Sequence, residues 1–178
     1  MGLPEGSNAF TVSRFLVPWL CDFKGHAIFC DASDMLMDGD IAELDSLFNP
    51  EFAVQVVKHP DYKTRHKTKY RGTSMECPNS EYPRKNWASV MLINCEHPDW
   101  VAATPEILAR VSPAEMLGLL WTDSIGELPA EWNCLVDEGQ PAGKLLHWTA
   151  GIPGFQAYSG APFAELWHHE RRLLETVG

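Results

Sequence analysis

The chain is short of positive charge. Lys and Arg number 14 against 24 Asp and Glu, a formal net charge of -10 over 178 residues. That balance argues against a general nucleic-acid binder, whose phosphate contacts need a clustered positive surface. No apolar run approaches the roughly 20 residues that span a bilayer, so no membrane span is expected. The opening residues, Met-Gly-Leu-Pro-Glu-Gly-Ser-Asn, lack the basic and then apolar order of a secretion signal. Five cysteines (Cys21, Cys30, Cys77, Cys95 and Cys134) are scattered and form no C-x-x-C pair. They fit reduced thiols in a cytoplasmic protein better than a disulfide framework or a zinc site. Internal repeats and low-complexity linkers are also missing.

What is present reads as one packed domain. Hydrophobic residues make up 45% of the chain, with seven Trp and eight Phe, enough to bury a substantial core. Residues 10–20 form an amphipathic helix pattern with Phe15, Leu16, Trp19 and Leu20 on one face and Pro18 as a local disturbance. A turn at Lys24-Gly25 leads to the apolar run 26–30, expected as a buried strand. Asp40 is placed to cap a helix over residues 41–48, with Glu43 completing a capping box. Buried strands are expected at 52–57 and 89–94, separated by a long polar loop at 59–86. Ser112 and Pro113 open a helix through Leu120. Short strands at 131–136 and 144–148 precede a last helix over 162–176, whose apolar face carries Phe163, Leu166, Trp167 and Leu173 or Leu174. Alternating helices and apolar strands point to a layered α/β domain.

The one dense basic stretch, residues 58–71, holds Lys58, Lys63, Arg65, Lys67, Lys69 and Arg71. It reads as a solvated loop, with recognition of an anionic ligand as the alternative. Asp31 and Asp34 follow the apolar run 26–30 directly. In open α/β sheets ligands collect at the carboxyl ends of strands, and two close carboxylates repel unless a cation lies between them. Mg²⁺ or Mn²⁺ would suit such oxygen donors. An acidic turn is the alternative, and the i, i+3 spacing converges only if the chain turns between the two.

The segments Ser13-Arg14-Phe15-Leu16-Val17-Pro18 and Ala27-Ile28-Phe29-Cys30-Asp31-Ala32-Ser33-Asp34-Met35-Leu36 resemble GT-A glycosyltransferases related to glycosyltransferase family 8. Blocks at 82–94 (Tyr-Pro-Arg-Lys-Asn-Trp-Ala-Ser-Val-Met-Leu-Ile-Asn), 125–133 (Ile-Gly-Glu-Leu-Pro-Ala-Glu-Trp-Asn) and 146–149 (Leu-His-Trp-Thr) continue the match in order. The resemblance covers about residues 7–170 and implies a partial GT-A fold, a mixed sheet flanked by helices. It implies a Mn²⁺ or Mg²⁺ site at Asp31, Asp34 and His147, although a structural histidine is the alternative from the residues alone. Arg14 falls where the family places an arginine near the donor phosphates, a task suited to a guanidinium; a surface or capping arginine is the alternative. Lys85 and Asn86 are implied to hydrogen-bond the donor sugar, Trp87 to pack on it, and Asp123 to lie near the transferred sugar. Gly151 lies in a small-residue stretch that would let backbone approach a phosphate. Trp121, Trp132 and Trp148 are assigned to packing.

Two departures stand out. The family's Asp-x-Asp is Asp-x-x-Asp here, so Ser33 or Asp34 takes the second position. The match also opens at the Arg helix, so the strand–helix–strand segment that binds the nucleotide base is expected to be missing. A second copy or a partner chain would then cover the incomplete sheet. The implied function is metal-dependent transfer of a hexose from a nucleoside-diphosphate sugar, most simply a UDP-sugar, to an unknown acceptor with retention. Two alternatives are a non-catalytic carbohydrate-binding or assembly protein and a metal-dependent phosphohydrolase.

Overall fold

The structure, a computed structural model, describes residues 10–177. The start of the chain, from which the lack of a secretion signal was read, lies outside the described residues. The fold is α/β with mixed strand pairing, and the chain divides into two compact units.

The first unit comprises residues 10–30, Asp40–Tyr62 and Tyr82–Ala130. It opens with α1 (Phe10–Ser13), a 3-10 turn at Arg14–Leu16 and α2 (Val17–Leu20). The break in the expected helix falls before Pro18, which sits in the first turn of α2, where its missing N–H costs nothing. Val12 and Phe15 are buried, whereas Trp19 and Leu20 are exposed, so the inward face differs from the one expected. Strand β1 (His26–Cys30) follows and leads into β2 (Met35–Met37) of the second unit. Helix α3 (Ile41–Asp45) is held at its start by Asp40, whose Oδ1 accepts from Ala42 N at 2.9 Å. The helix is shorter than the expected 41–48, because 3-10-type bonds from Leu47 N to Leu44 O and from Phe48 N to Asp45 O take over.

Strand β3 (Val54–Val56) belongs to the first unit. Two two-residue strands of the second unit, β4 (Thr68–Lys69) and β5 (Cys77–Pro78), then pair within the expected loop. The first unit resumes with β6 (Val90–Asn94), α4 (Pro105–Leu108), α5 (Pro113–Leu117) and β7 (Ile125–Glu127). Helix α5 stops short of Leu120 because Leu119 takes φ +51°. The sheet order is β1-β6-β3-β7, antiparallel except for the parallel β3–β7 pair. Strand β6 is buried throughout, as expected for a central strand. Strand β1 is not buried: His26 is exposed and the next four residues are half-buried, because the strand ends its sheet. Cross-strand neighbours Val54–Ile93 and Val56–Met91 join Phe15, Trp100, Leu108 and Leu119 in one apolar core. Trp100 also donates Nε1–H to Ala53 O at 2.9 Å, so its only polar atom is satisfied inside the core.

The second unit comprises Asp31–Gly39, Lys63–Glu81 and residues 131–177. Its main sheet is β2-β9-β8, with β8 (Cys134–Leu135) parallel and β2 antiparallel to β9 (Leu145–His147). Strand β8 is two residues long where 131–136 was expected, since Ala130–Trp132 and Val136–Glu138 form 3-10 turns on either side. Leu146, Trp148, Cys134 and Val136 form its core, against which Leu36, Phe163, Leu166 and Trp167 pack. The last helix, α6 (Ala164–Val177), packs only through its first turns; Leu173 and Leu174 are exposed, contrary to the expected apolar face.

Candidate metal centre

The site is built by the register of β2 on β9. Met35 pairs with His147, and Trp148 N donates to Asp34 O at 2.9 Å. Asp34 is thereby held beside His147 although the two are far apart in sequence. Between Asp31 and Asp34 the chain bends at Ala32 and turns at Ser33, which supplies the convergence that i, i+3 spacing requires. One ligand atom from each of Asp31, Asp34 and His147 lies within 4.8 Å of the others. Ser33 is exposed in the turn, whereas Asp34 lies in the cluster with Asp31 and His147.

His147 is 2% exposed, and its Nδ1 lies 2.9 Å from Asn133 Oδ1. An amide oxygen accepts, so Nδ1–H donates, and in the neutral ring the lone pair then falls on Nε2. Nε2 stands 3.8 Å from Asp34 Oδ2, too far for a hydrogen bond but within the span of two donors sharing an ion at about 2.1 Å each. Two oxygen donors and one imidazole nitrogen suit Mn²⁺ and, less well, Mg²⁺. Burial alone would raise the Asp34 carboxyl. The facing His147 ring and the ammonium of Lys69 together outweigh burial and hold it below the ordinary carboxylate value. The donors therefore fit a divalent cation.

Asn133 was quoted in a matching block but not recognised as a site residue. Its sequence signal is an amide set between Trp132 and the apolar run Cys134-Leu135-Val136, and the structure buries it completely. Asp137 was also missed. Its Oδ2 accepts from Ala150 N at 2.8 Å, and its carboxylate accepts from Thr149 Oγ1, fixing the segment that follows His147. Gly151 has a packing reason to be glycine: a Cβ there would fall 2.5 Å from the Tyr158 ring.

The remaining expected residues belong to the first unit. Arg14 Nη1 donates to Ala88 O at 2.7 Å, and its guanidinium lies 5.0 Å from the centre of the Phe29 ring. Lys85 and Asn86 are buried, with Asn86 in the left-handed region at φ +66°. Trp87 is half-buried between the Arg84 guanidinium and the Lys58 ammonium, 5.4 and 5.9 Å from its ring centre. Asp123 is exposed, and its backbone carbonyl accepts from Ile125 N. Trp132 and Trp148 are buried, and Trp121 packs on Trp100 at 4.2 Å, as expected of packing residues.

No protein-family model matches the chain. The chain is 38% identical over 173 residues to Protein CDI of Arabidopsis thaliana, covering 92% of this chain but only 64% of that protein's length. Solved structures share the fold at low identity. The glycosyltransferase GlyE of Streptococcus pneumoniae TIGR4 superposes with TM-score 0.52 at 18% identity, over 88% of this chain and 42% of its own. Its apo form gives 0.55 at 18% identity, over 91% and 43%. The bifunctional glycosyltransferase WbbM gives 0.51 at 15% identity, over 82% and 32%. The chain therefore has a glycosyltransferase-like fold of GT-A type.

Proposed function

We propose that the chain is a metal-dependent glycosyltransferase domain that moves a hexose from a nucleoside-diphosphate sugar, a UDP-sugar, to an acceptor. The observation that carries this reading is the convergence of Asp31, Asp34 and His147 in a glycosyltransferase-like fold. A divalent cation held there, Mn²⁺ or Mg²⁺, would supply charge neutralisation to a departing diphosphate.

The chain's own groups have separable tasks. Asp31 and Asp34 supply oxygen donors and His147 supplies Nε2. Asn133 holds the imidazole in the tautomer that leaves Nε2 bare. Lys69 adds positive charge close enough to act on Asp34. In the same reading Lys85, Asn86 and Asp123 act on the transferred sugar, while Arg14, Ser33, Trp87 and Gly151 contact the donor. Among the described residues no helix is long and apolar enough to cross a membrane, and all five cysteines are free thiols, which supports a cytoplasmic setting. The outer edge of β1 is the place for a second copy or a partner chain to complete the sheet.

A non-catalytic carbohydrate-binding role is favoured by one observation: Arg14, expected at the donor phosphates, is already engaged by Ala88 O and Phe29. Calorimetric titration with UDP-glucose and UDP-galactose, with and without Mn²⁺, decides between the two. Metal-dependent binding that disappears in Asp31→Ala supports the transferase. A folded protein that binds neither sugar nucleotide at any Mn²⁺ concentration overturns it.

A further inference from the structure

The basic stretch is not a loose solvated loop. From residue 63 to 68 its side chains alternate between exposed and half-buried. Thr64 and His66, on the inner side, are tied to buried acidic residues of the same unit. Thr64 Oγ1 donates to Glu138 Oε1, and Arg65 N donates to Glu138 Oε2 at 2.8 Å. His66 Nε2 donates to Asp137 O at 3.0 Å, and Asn79 Nδ2 donates to both Thr64 Oγ1 and His66 O at 2.9 Å. The backbone under Lys63, Arg65 and Lys67 is therefore fixed, and the three cations stand outward.

These cations are uncompensated. Among the described residues, none of Lys63, Arg65 and Lys67 forms an ion pair, in a chain of net charge -10. Glu81 is the acid beside them, its Oε1 accepting from Thr64 N at 3.1 Å. Arg65 is further positioned against Gly139, where a Cβ would lie 2.6 Å from its Nη1. The row continues along the chain to Lys69 in β4. Tyr70 N donates to Ala150 O at 2.7 Å, which pins that end beside the segment following His147.

We propose that Lys63, Arg65 and Lys67 form a docking track for an anionic glycan acceptor, a chain of carboxylate-bearing sugars whose reacting end lies toward the metal centre. The proposal rests on the transferase reading. A row of fixed cations leading to one end of a site matches a linear polyanion, and the acidic remainder of the chain repels extended anionic surfaces such as membranes and duplex nucleic acid.

The test titrates the full chain with oligogalacturonate and with a neutral maltodextrin of equal length, at several salt concentrations. Wild type should prefer the oligogalacturonate at least tenfold. Lys63→Gln/Arg65→Gln/Lys67→Gln should lose that preference and reduce the slope of log affinity on log salt by about 2, as for three contacts to a single-stranded polyanion. Because Arg65 also packs on Gly139, Lys63→Gln/Lys67→Gln is measured alongside and should lose most of the same preference. Both variants should bind UDP-sugar with Mn²⁺ as wild type does; donor binding absent from wild type itself would mark failure of the transferase reading instead. Equal affinity for the two glycans, undiminished binding by the variants, or tighter binding to duplex DNA or phosphatidylserine vesicles overturns the proposal.

Discussion

Asn133 Oδ1 accepts from His147 Nδ1 at 2.9 Å, and both residues are buried. This bond decides which imidazole nitrogen faces Asp34, and so whether the triad can act as a donor set. Replacing Asn133 by Ala should weaken Mn²⁺ binding about 10- to 100-fold, the usual penalty for losing the partner that orients a ligating histidine. Titration of Mn²⁺ followed by electron paramagnetic resonance reads this directly. An unchanged affinity in a folded variant would remove Asn133 from the site.

In the proposed site Asp34, which lies in the cluster with Asp31 and His147, takes the position of the second metal ligand. Asp34→Asn should abolish Mn²⁺-dependent binding of the sugar nucleotide, whereas Ser33→Ala, which removes one hydroxyl from the donor contacts and leaves the ligand set intact, should weaken it only about 2- to 10-fold, the worth of a single hydrogen bond. Parallel calorimetry of the two variants checks the assignment. The reverse pattern would give the position to the hydroxyl.

A third expectation concerns the first unit. A Cβ on Gly126 would meet the Phe52 ring at 2.5 Å and Gln55 Cγ at 2.7 Å. Gln55 has little freedom to yield, because its side chain bonds Asn49 N and Leu47 O. Gly126→Ala should cost about 1–3 kcal/mol from overpacking, lowering the thermal midpoint by about 2–4 °C per kcal/mol. Differential scanning calorimetry gives the value, and a midpoint equal to wild type would contradict the packing described.

The Cys95 thiol offers a pH test. Burial, the neighbouring Cys21 and the charge of Glu96 push its pKa up from 9.0 to about 12. Below pH 9 the thiol is protonated whether the chain is folded or not. From about pH 9 upward the unfolded chain releases this proton while the folded chain keeps it, so the contribution to stability falls as pH rises. Urea midpoints between pH 8 and 10.5 should decline less steeply in Cys95→Ala than in wild type. Identical slopes would show that the thiol does not contribute.

The sequence made some of this legible because strong local signals agreed with tertiary context. The apolar run at 26–30 became β1 with the expected ends, Asp40 became a helix cap, and the run at 89–94 became β6 after a 3-10 turn. Elements too short to carry a pattern were missed. Met35–Met37 has too few residues to show alternation, and β4 and β5 have two residues each. Ile125–Glu127 was quoted only as part of a matching block, since a glycine at its centre hides strand character. The burial of β1 was overestimated because an apolar composition does not say whether a strand is central or last in its sheet. At the site, the acidic pair after an apolar strand suggests a cation, whereas His147 joins it only through the family resemblance; the supporting contacts of Asn133 and Asp137 arise only once β8 and β9 are side by side.

The pairing of Met35 with His147 joins positions more than a hundred residues apart, and it divides the chain's tolerance for change into two kinds. Extending the intervening loops costs little, since closure entropy rises by only about 0.6 kcal/mol per doubling of length. A slip of one residue in the three-residue strand β2 is another matter, because it would turn alternate side chains to the opposite face and carry Asp34 away from His147. Natural variants should therefore differ freely in the length of the exposed connections, while insertions or deletions between Asp31 and Met37 should be selected against.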